Sequence, residues 1–390
     1  MMKITADENI PFVRKSFSGI GEVTLCAGRE MTPERVREED ILLVRSVTPV
    51  NEALLSGSRV TFVGTATIGI DHVDTAYLAS RGIGFASAPG SNANSVAEYV
   101  MSALLEFSLG HEIRLQEKTL GIIGVGNVGS RVARKARALG MDVVLNDPPL
   151  RDRTGDARYR PLSDIMEADM VTVHVPLERE GDYPTFHLAD ADFFKQLAPG
   201  ALFVNSSRGA VMETDALKKS LASGRIHAVL DVWENEPDID THLLDMVEFG
   251  TPHIAGYSFD GKVRGIDMIF QSACSFMELE PDLGCEPMVF LPESDPRSIT
   301  VDGASGNRES VFRDLLLRFY DIRDDDRLLR GISAAEDPGV FFRNLRATYR
   351  IRREMNACEI HGINMNNEME QALREFAAAV PVNEENPNDF

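Results

Sequence analysis

The segment LGIIGVGNVGSRV sets Gly124, Gly126 and Gly129 between a short apolar run and a helical pattern, and few folds accommodate that passage from strand through tight turn to helix. Gly124 suits the turn, Gly126 lets backbone approach a pyrophosphate, and Gly129 lets the helix pack on the strand. Asn127 and Val128 fill the variable positions and are expected to line the cofactor. The helix N-terminus adds amide donors and a positive dipole. Seventeen residues separate Gly129 from Asp147, which closes DVVLND, where a carboxylate suits ribose hydroxyls and repels an added 2'-phosphate. NAD is favoured over NADP, although Arg151 and Arg153 lie close by. The plainer reading of Asp147 is that it starts the turn at Pro148 and Pro149.

Around this turn the pattern is α/β. From Thr119 the runs GIIGVG, DVVLN, MVTVH, ALFVNSS and AVLDVW alternate with helical or loop segments, which predicts a doubly wound parallel sheet. Helix stops are expected at Gly140, Pro199-Gly200 and Gly224. Residues 1 to about 90 read as short β/α units with strands near Ile4, Val23, Ile41 to Ser46 and Val60 to Gly64. A flavodoxin-like domain fits them. SNANSVAEYVMSALLEFSLG carries apolar residues at helical spacing and leads into the second domain, and Asp260 to Glu280 reads as the helix that returns to the first. The expected organisation is a split first domain (1–93 and 255–284), a Rossmann NAD domain (94–254) and a small α+β domain (285–390). The final VNEENPNDF is expected to fray.

Three residues on the later loops suit one reaction. Oxidising a 2-hydroxy acid requires a cation for the carboxylate, a base for the hydroxyl proton and a hydride acceptor. Arg208 in NSSRGAV offers the bidentate fork, His253 in TPHIAGY the base, and Glu236 in DVWENEP a carboxylate to orient that imidazole. Singly each has a structural reading, as a surface loop residue, a buried histidine or a turn residue before Pro237. After a nucleotide fingerprint the joint pattern points to catalysis. The other histidines lack such support; His72 and His174 sit beside strand ends with no carboxylate partner suggested.

These motifs, in this order, resemble the D-2-hydroxyacid dehydrogenase family. The likeness rests on DENIP, LLVRSVTPVN, FVGTATIGIDHVD, APGSNANSVAEYV, LDVWENEP and GTPHIAGYSFDGKVRG, which cover most of residues 1 to 270. It implies Arg208 and Glu236 as catalytic residues, His253 as proton acceptor, substrate contacts from Ser46, Thr67 and Tyr257, and NAD contacts from Asp147, Asp231 and Gly256. At Val175 in HVPL the closest relatives tend to have threonine, so only backbone and apolar contact with the cofactor is expected there. The TATIGIDH and GYSFDGKVRG contexts, with the extra C-terminal stretch, favour a phosphorylated four-carbon acid. FYDIRDDDRLLR resembles a dimerisation segment of the family, which implies a homodimer. Other 2-hydroxy acids such as phosphoglycerate, and an NAD-sensing binding protein, are the competing readings.

A net charge of -21 disfavours nucleic acid and anionic membranes, and it means that local cations must hold an anionic substrate. Arg45, Lys262 and Arg264 are the candidates. No apolar run approaches membrane-spanning length, and the chain reads as cytoplasmic. Cys26, Cys274, Cys285 and Cys358 are scattered without metal-ligand spacing, so no metal is expected.

Overall fold

The computed structural model of the chain describes residues 1–279 and 297–378. They form two compact units, one of residues 1–92 and 258–279, the other of residues 93–257 and 297–378.

The first unit is built on a parallel sheet of β1 (Met2–Asp7), β2 (Gly21–Cys26), β3 (Ile41–Val44), β4 (Phe62–Thr65) and β5 (Gly84–Ala86), in the order β2-β1-β3-β4-β5. That is the flavodoxin-like order. The unbroken run ILLV in β3 is explained by burial on both faces, since Ile41 and Leu43 enter one apolar cluster while Leu42 and Val44 enter another. The helix Phe259–Phe276, capped by the Ser258 side chain, seals the first of these clusters with Ile266, Ile269 and Phe270. The three-residue β5 was too short to stand out in the sequence.

The second unit holds β6 (Thr119–Ile123), β7 (Asp142–Asn146), β8 (Met170–Val173), β9 (Leu202–Asn205), β10 (His227–Leu230) and β11 (Phe249–Gly250), parallel in the order β11-β10-β9-β8-β6-β7. Beyond β7 a single parallel bridge joins Leu145 to Tyr159. With that bridge as a vestigial edge strand, the order from it to β10 is the 3-2-1-4-5-6 of the doubly wound nucleotide-binding sheet, and β11 adds one further strand. Successive residues again part to opposite faces: Leu202 and Val204 join one cluster, Phe203 the other. Gly140, Gly200 and Gly224 have φ of 90°, 80° and 68°, at the helix stops that the sequence marks.

The C-terminal segment, expected as a separate domain, groups with this second unit. It forms a parallel pair, β12 (Ser298–Asp302) with β13 (Glu359–Ile363), flanked by helices. Its Val311, Phe312, Leu315, Tyr320, Met355 and Phe376 share one cluster with Tyr99, Val132 and Leu120. The helix Ala93–Gly110 explains why: Ala93 through Ser108 are all buried, including Asn94, Glu98 and Glu106. Those polar groups need partners, and the C-terminal segment supplies them. Asn94 Nδ2 donates to Asn356 Oδ1 at 2.8 Å, the Met355 amide donates to Glu98 Oε1 at 2.8 Å, and Arg313 Nε lies 2.7 Å from Glu106 Oε1. Arg352, fully buried, donates to the carbonyls of Ser95 and Ala255. The expected fraying tail 382–390, the Glu280 end of the return helix, Cys285 and all but the last two residues of the loop PDLGCEPMVFLPESDPRS lie outside the described residues.

Candidate active site

The glycine turn follows β6. Gly124 has φ of 85°, and a Cβ there would stand 2.6 Å from the His174 carbonyl oxygen after β8, so the turn is pressed against the neighbouring strand end. Val175 backs the same position, 2.9 Å from that Cβ, as an apolar wall. At Gly129 a Cβ would fall 2.0 Å from the Gly124 carbonyl, which fixes the helix Asn127–Ala138 against the turn. Gly126 is different: a Cβ would meet nothing within 4 Å, and no side chain caps the helix there. Open space in front of uncapped amides, at the carboxyl ends of β6 and β8, fits a pyrophosphate.

Asp147 starts the turn at Pro148 and Pro149, the plainer of its two readings, and it also holds the glycine turn. Its Oδ1 accepts from Leu150 N at 2.9 Å, capping the helix Pro148–Thr154, and its Oδ2 accepts from Val125 N at 2.8 Å, pinning the glycine turn. Each oxygen keeps a second lone pair for a ribose hydroxyl.

The loops after β9 and β10 are brought together by Gly209, where a Cβ would overlap the backbone of Trp233 at 2.0 Å. Arg208 precedes that contact, half-buried, with Nη1 donating to the Ser207 carbonyl at 2.8 Å and its own carbonyl accepting from Asn205 Nδ2. Glu236 lies in the Trp233 loop. One oxygen, Oε1, accepts from Trp233 N at 2.8 Å; the other, Oε2, is 2.7 Å from His253 Nδ1. Burial alone raises this carboxyl, but the His253 charge and hydrogen bond, the Trp233 amide and the Arg346 guanidinium outweigh it and hold the pKa below the usual range. An ionised Glu236 accepts only, so His253 carries its proton on Nδ1. Nε2, with no partner among the described residues, is left to take up a proton.

His253 stands at φ of 57°, in a loop held from behind by Asp231. That carboxylate is 1% exposed and accepts from Thr251 Oγ1 at 2.6 Å, Ile254 N at 2.8 Å and Ala255 N at 2.9 Å. Burial raises its pKa, and the three donors and His253 oppose the rise. Its contacts make Asp231 the anchor of the histidine loop, a task the sequence did not reveal. Gly256 lies in the turn that follows, half-buried, and Tyr257 N donates to the Ile254 carbonyl at 2.7 Å.

In the first unit Arg45 and Ser46 follow β3 and Thr67 follows β4, all at carboxyl ends of that sheet. Ser46 is exposed, and Thr67 Oγ1 bonds Thr65 Oγ1 and the Gly69 carbonyl. Of the phosphate candidates, Arg264 Nε donates to the Ser91 carbonyl at 2.9 Å. Lys262 is exposed as a residue, yet surrounding protein and then Arg45 lower its pKa, so these two cations act on one another.

Curated relatives cover nearly the whole chain. A protein of Edwardsiella ictaluri named erythronate-4-phosphate dehydrogenase is 45% identical over 361 residues, 92% of this chain and 94% of its own length. One of the same name from Salinibacter ruber is 46% identical over 384 residues, 96% and 97% of the two chains. Residues 96–255 match the NAD-binding domain of D-isomer specific 2-hydroxyacid dehydrogenases, and residues 290–376 match a domain of unknown function. The chain belongs to the D-2-hydroxyacid dehydrogenases, in their erythronate-4-phosphate dehydrogenase branch. Solved members share the fold at lower identity: 3-phosphoglycerate dehydrogenase of Entamoeba histolytica with NAD⁺ bound (TM-score 0.61, 22% identity, 73% of this chain and 98% of that one) and D-lactate dehydrogenase of Aquifex aeolicus with NAD and lactic acid (0.57, 24%, 71% and 96%).

Within this dehydrogenase scaffold His253 is not the only histidine beside a carboxylate. His187 Nε2 lies 2.7 Å from Glu234 Oε1, and at the amino end of β10 Glu248 Oε1 lies 2.6 Å from His227 Nδ1 and 3.2 Å from His111 Nε2. Neither group was legible in the sequence, because the partners are 21 to 137 residues apart. Glu248 with its two histidines is also the one set among the described residues with metal-ligand proximity; hydrogen bonds between the three already satisfy it. His72 and His174 face threonine hydroxyls, each at 3.0 Å, and burial depresses His174 to about 3.

Proposed function

We propose that the chain oxidises 4-phospho-D-erythronate to (R)-3-hydroxy-2-oxo-4-phosphooxybutanoate with NAD, a step of pyridoxal 5'-phosphate biosynthesis. The observation that carries the chemistry is the 2.7 Å contact between Glu236 Oε2 and His253 Nδ1, which leaves Nε2 as the base. Arg208 binds the substrate carboxylate, Nε2 accepts the C2 hydroxyl proton, and Glu236 stabilises the imidazolium that results. Bound NAD supplies the acceptor for the C2 hydride. The turn Gly124 to Gly129 with Asn127 and Val128 holds its pyrophosphate, Asp147 its ribose, and Val175, Asp231 and Gly256 border the remainder. Ser46, Thr67, Tyr257 and Arg45 contact the substrate. The protein works in the cytoplasm as a homodimer.

Purified protein incubated with NAD and each of 4-phospho-D-erythronate, 3-phosphoglycerate and glycerate, with NADH formation followed by absorbance, tests the reading. The phosphorylated four-carbon acid should have the highest kcat/KM. Tight NADH binding without turnover of any acid would replace the enzyme with an NAD-responsive binding protein.

A further inference from the structure

Arg346 lies on the helix Pro338–Ala347 of the C-terminal segment, far in sequence from every motif above. The fold brings it to the histidine loop. Its Nη2 donates to the Tyr257 hydroxyl at 3.1 Å and its guanidinium stands 5.6 Å from the centre of that ring, four residues after His253. It is also close enough to Glu236 to help keep that carboxylate ionised.

Two partners are missing around Arg346. Its Nε–H is buried with no hydrogen-bond partner, and among the described residues it makes no ion pair. Several other arginines of the segment have a carboxylate partner: Arg313 and Arg323 with Glu106, Arg330 with Asp326, Arg350 with Asp325. In a chain of net charge -21, carboxylates are plentiful. A half-buried guanidinium left without one, with a buried donor unmet, is arranged for an anion that arrives from outside. Tyr257 steadies the fork by accepting from one arm, which leaves Nε–H and the remaining Nη–H groups for that anion.

We propose that Arg346 is an anion-binding residue of the active site, contributed by the C-terminal segment, and that it takes the phosphate of the substrate. The assignment rests on the reading above that the substrate is phosphorylated. Arg208 serves the carboxylate, so a second cation is needed at the other end of the acid. The phosphate has oxygens enough to engage Arg346 together with cations elsewhere.

The test compares wild type, Arg346→Met and Arg346→Lys for kcat/KM on 4-phospho-D-erythronate and on unphosphorylated D-erythronate, with inorganic phosphate as a competing probe and NADH binding as the check on folding. Arg346→Met should lower kcat/KM on the phosphorylated acid by about 10- to 100-fold, mainly through KM, as the loss of charge-assisted hydrogen bonds implies. The loss on D-erythronate should be at least about tenfold smaller, inhibition by inorganic phosphate should weaken, and Arg346→Lys should fall between, since it keeps charge without the fork. Equal losses on both acids, or no loss on either, in variants that still bind NADH would overturn the proposal. If Arg346→Met fails to bind NADH, Arg346→Lys carries the same comparison. A wild type that prefers a different acid removes the substrate reading instead, and inhibition of that turnover by inorganic phosphate, wild type against variant, still decides whether Arg346 binds the anion.

Discussion

At the scale of single residues the chemistry turns on which nitrogen of His253 faces Glu236. Replacing His253 by alanine should lower turnover by about 10²–10⁴-fold and leave NADH binding nearly intact, because the base acts on the substrate. Rate and fluorescence titration of one preparation separate the two effects; lost NADH binding with turnover retained would reject the role. Glu236→Gln removes the charge that favours the imidazolium. Oxidation needs the neutral imidazole, so the rising limb of its pH profile should move to lower pH while turnover drops. An unmoved profile would mean that the 2.7 Å contact is not maintained in solution. This dyad was legible in the sequence because its members sit in short contexts after strands. Arg346 was not, since nothing in GVFFRNLRATYR marks one arginine among several until the fold sets it beside Tyr257.

At the scale of elements the glycine turn separates folding from binding. Gly126→Ala adds a methyl group into open space at a φ of -77° that alanine accepts, so thermal stability should hold while NADH affinity falls. Gly129→Ala drives a Cβ onto the Gly124 carbonyl, and backbone cannot step aside as a flexible side chain can, so it should cost about 1–3 kcal/mol of stability as well. If Gly126→Ala left NADH affinity unchanged, the turn would not be the pyrophosphate site. The helix Ala93–Gly110 shows where reading stopped. Its apolar spacing announced a helix, but its buried polar face is explained only by residues some 200 to 260 positions away, and periodicity carries no such distance. That face has a pH signature. Burial raises Glu98 to about 7, against Lys135 and Arg352, so the folded state binds its proton more tightly than the unfolded chain does. Its contribution is fully present below the unfolded carboxyl pKa and is lost as pH rises towards 7; the depressed pKa of Lys135, about 8, acts only above that window. Urea denaturation between about pH 5 and 7 should therefore show wild type losing stability relative to Glu98→Gln, by up to about 1.4 kcal/mol per pH unit. Parallel profiles would show that Glu98 is ionised throughout.

At the scale of the whole molecule, both parallel sheets were legible because each βα unit repeats its own local pattern, whereas the allegiance of the C-terminal segment depends on surfaces that form only after the sheets do. It closes the core of the nucleotide-binding unit. Phe312, Leu315, Leu316, Tyr320 and Phe376 are each at most 1% exposed and share a cluster with Tyr99 and Val132. Burial of such a side chain contributes about 1.5–3 kcal/mol, so losing all five removes a sum comparable with the roughly 5–15 kcal/mol that keeps a domain folded. Truncation would also strip Glu98, Asn94 and Glu106 of their partners in the segment. A chain ending at Glu280 should therefore fail to bind NADH and should bind a hydrophobic dye, whatever the oligomeric state. That makes truncation unfit as a test of pairing, and sedimentation of the intact chain is the measurement to use. A dimer that persists on dilution is expected from the proposed role of this segment, and an intact chain that sediments as a monomer while turning over substrate would refute it. A truncated chain that stays folded and binds NADH would contradict, separately, the claim that the segment completes the core.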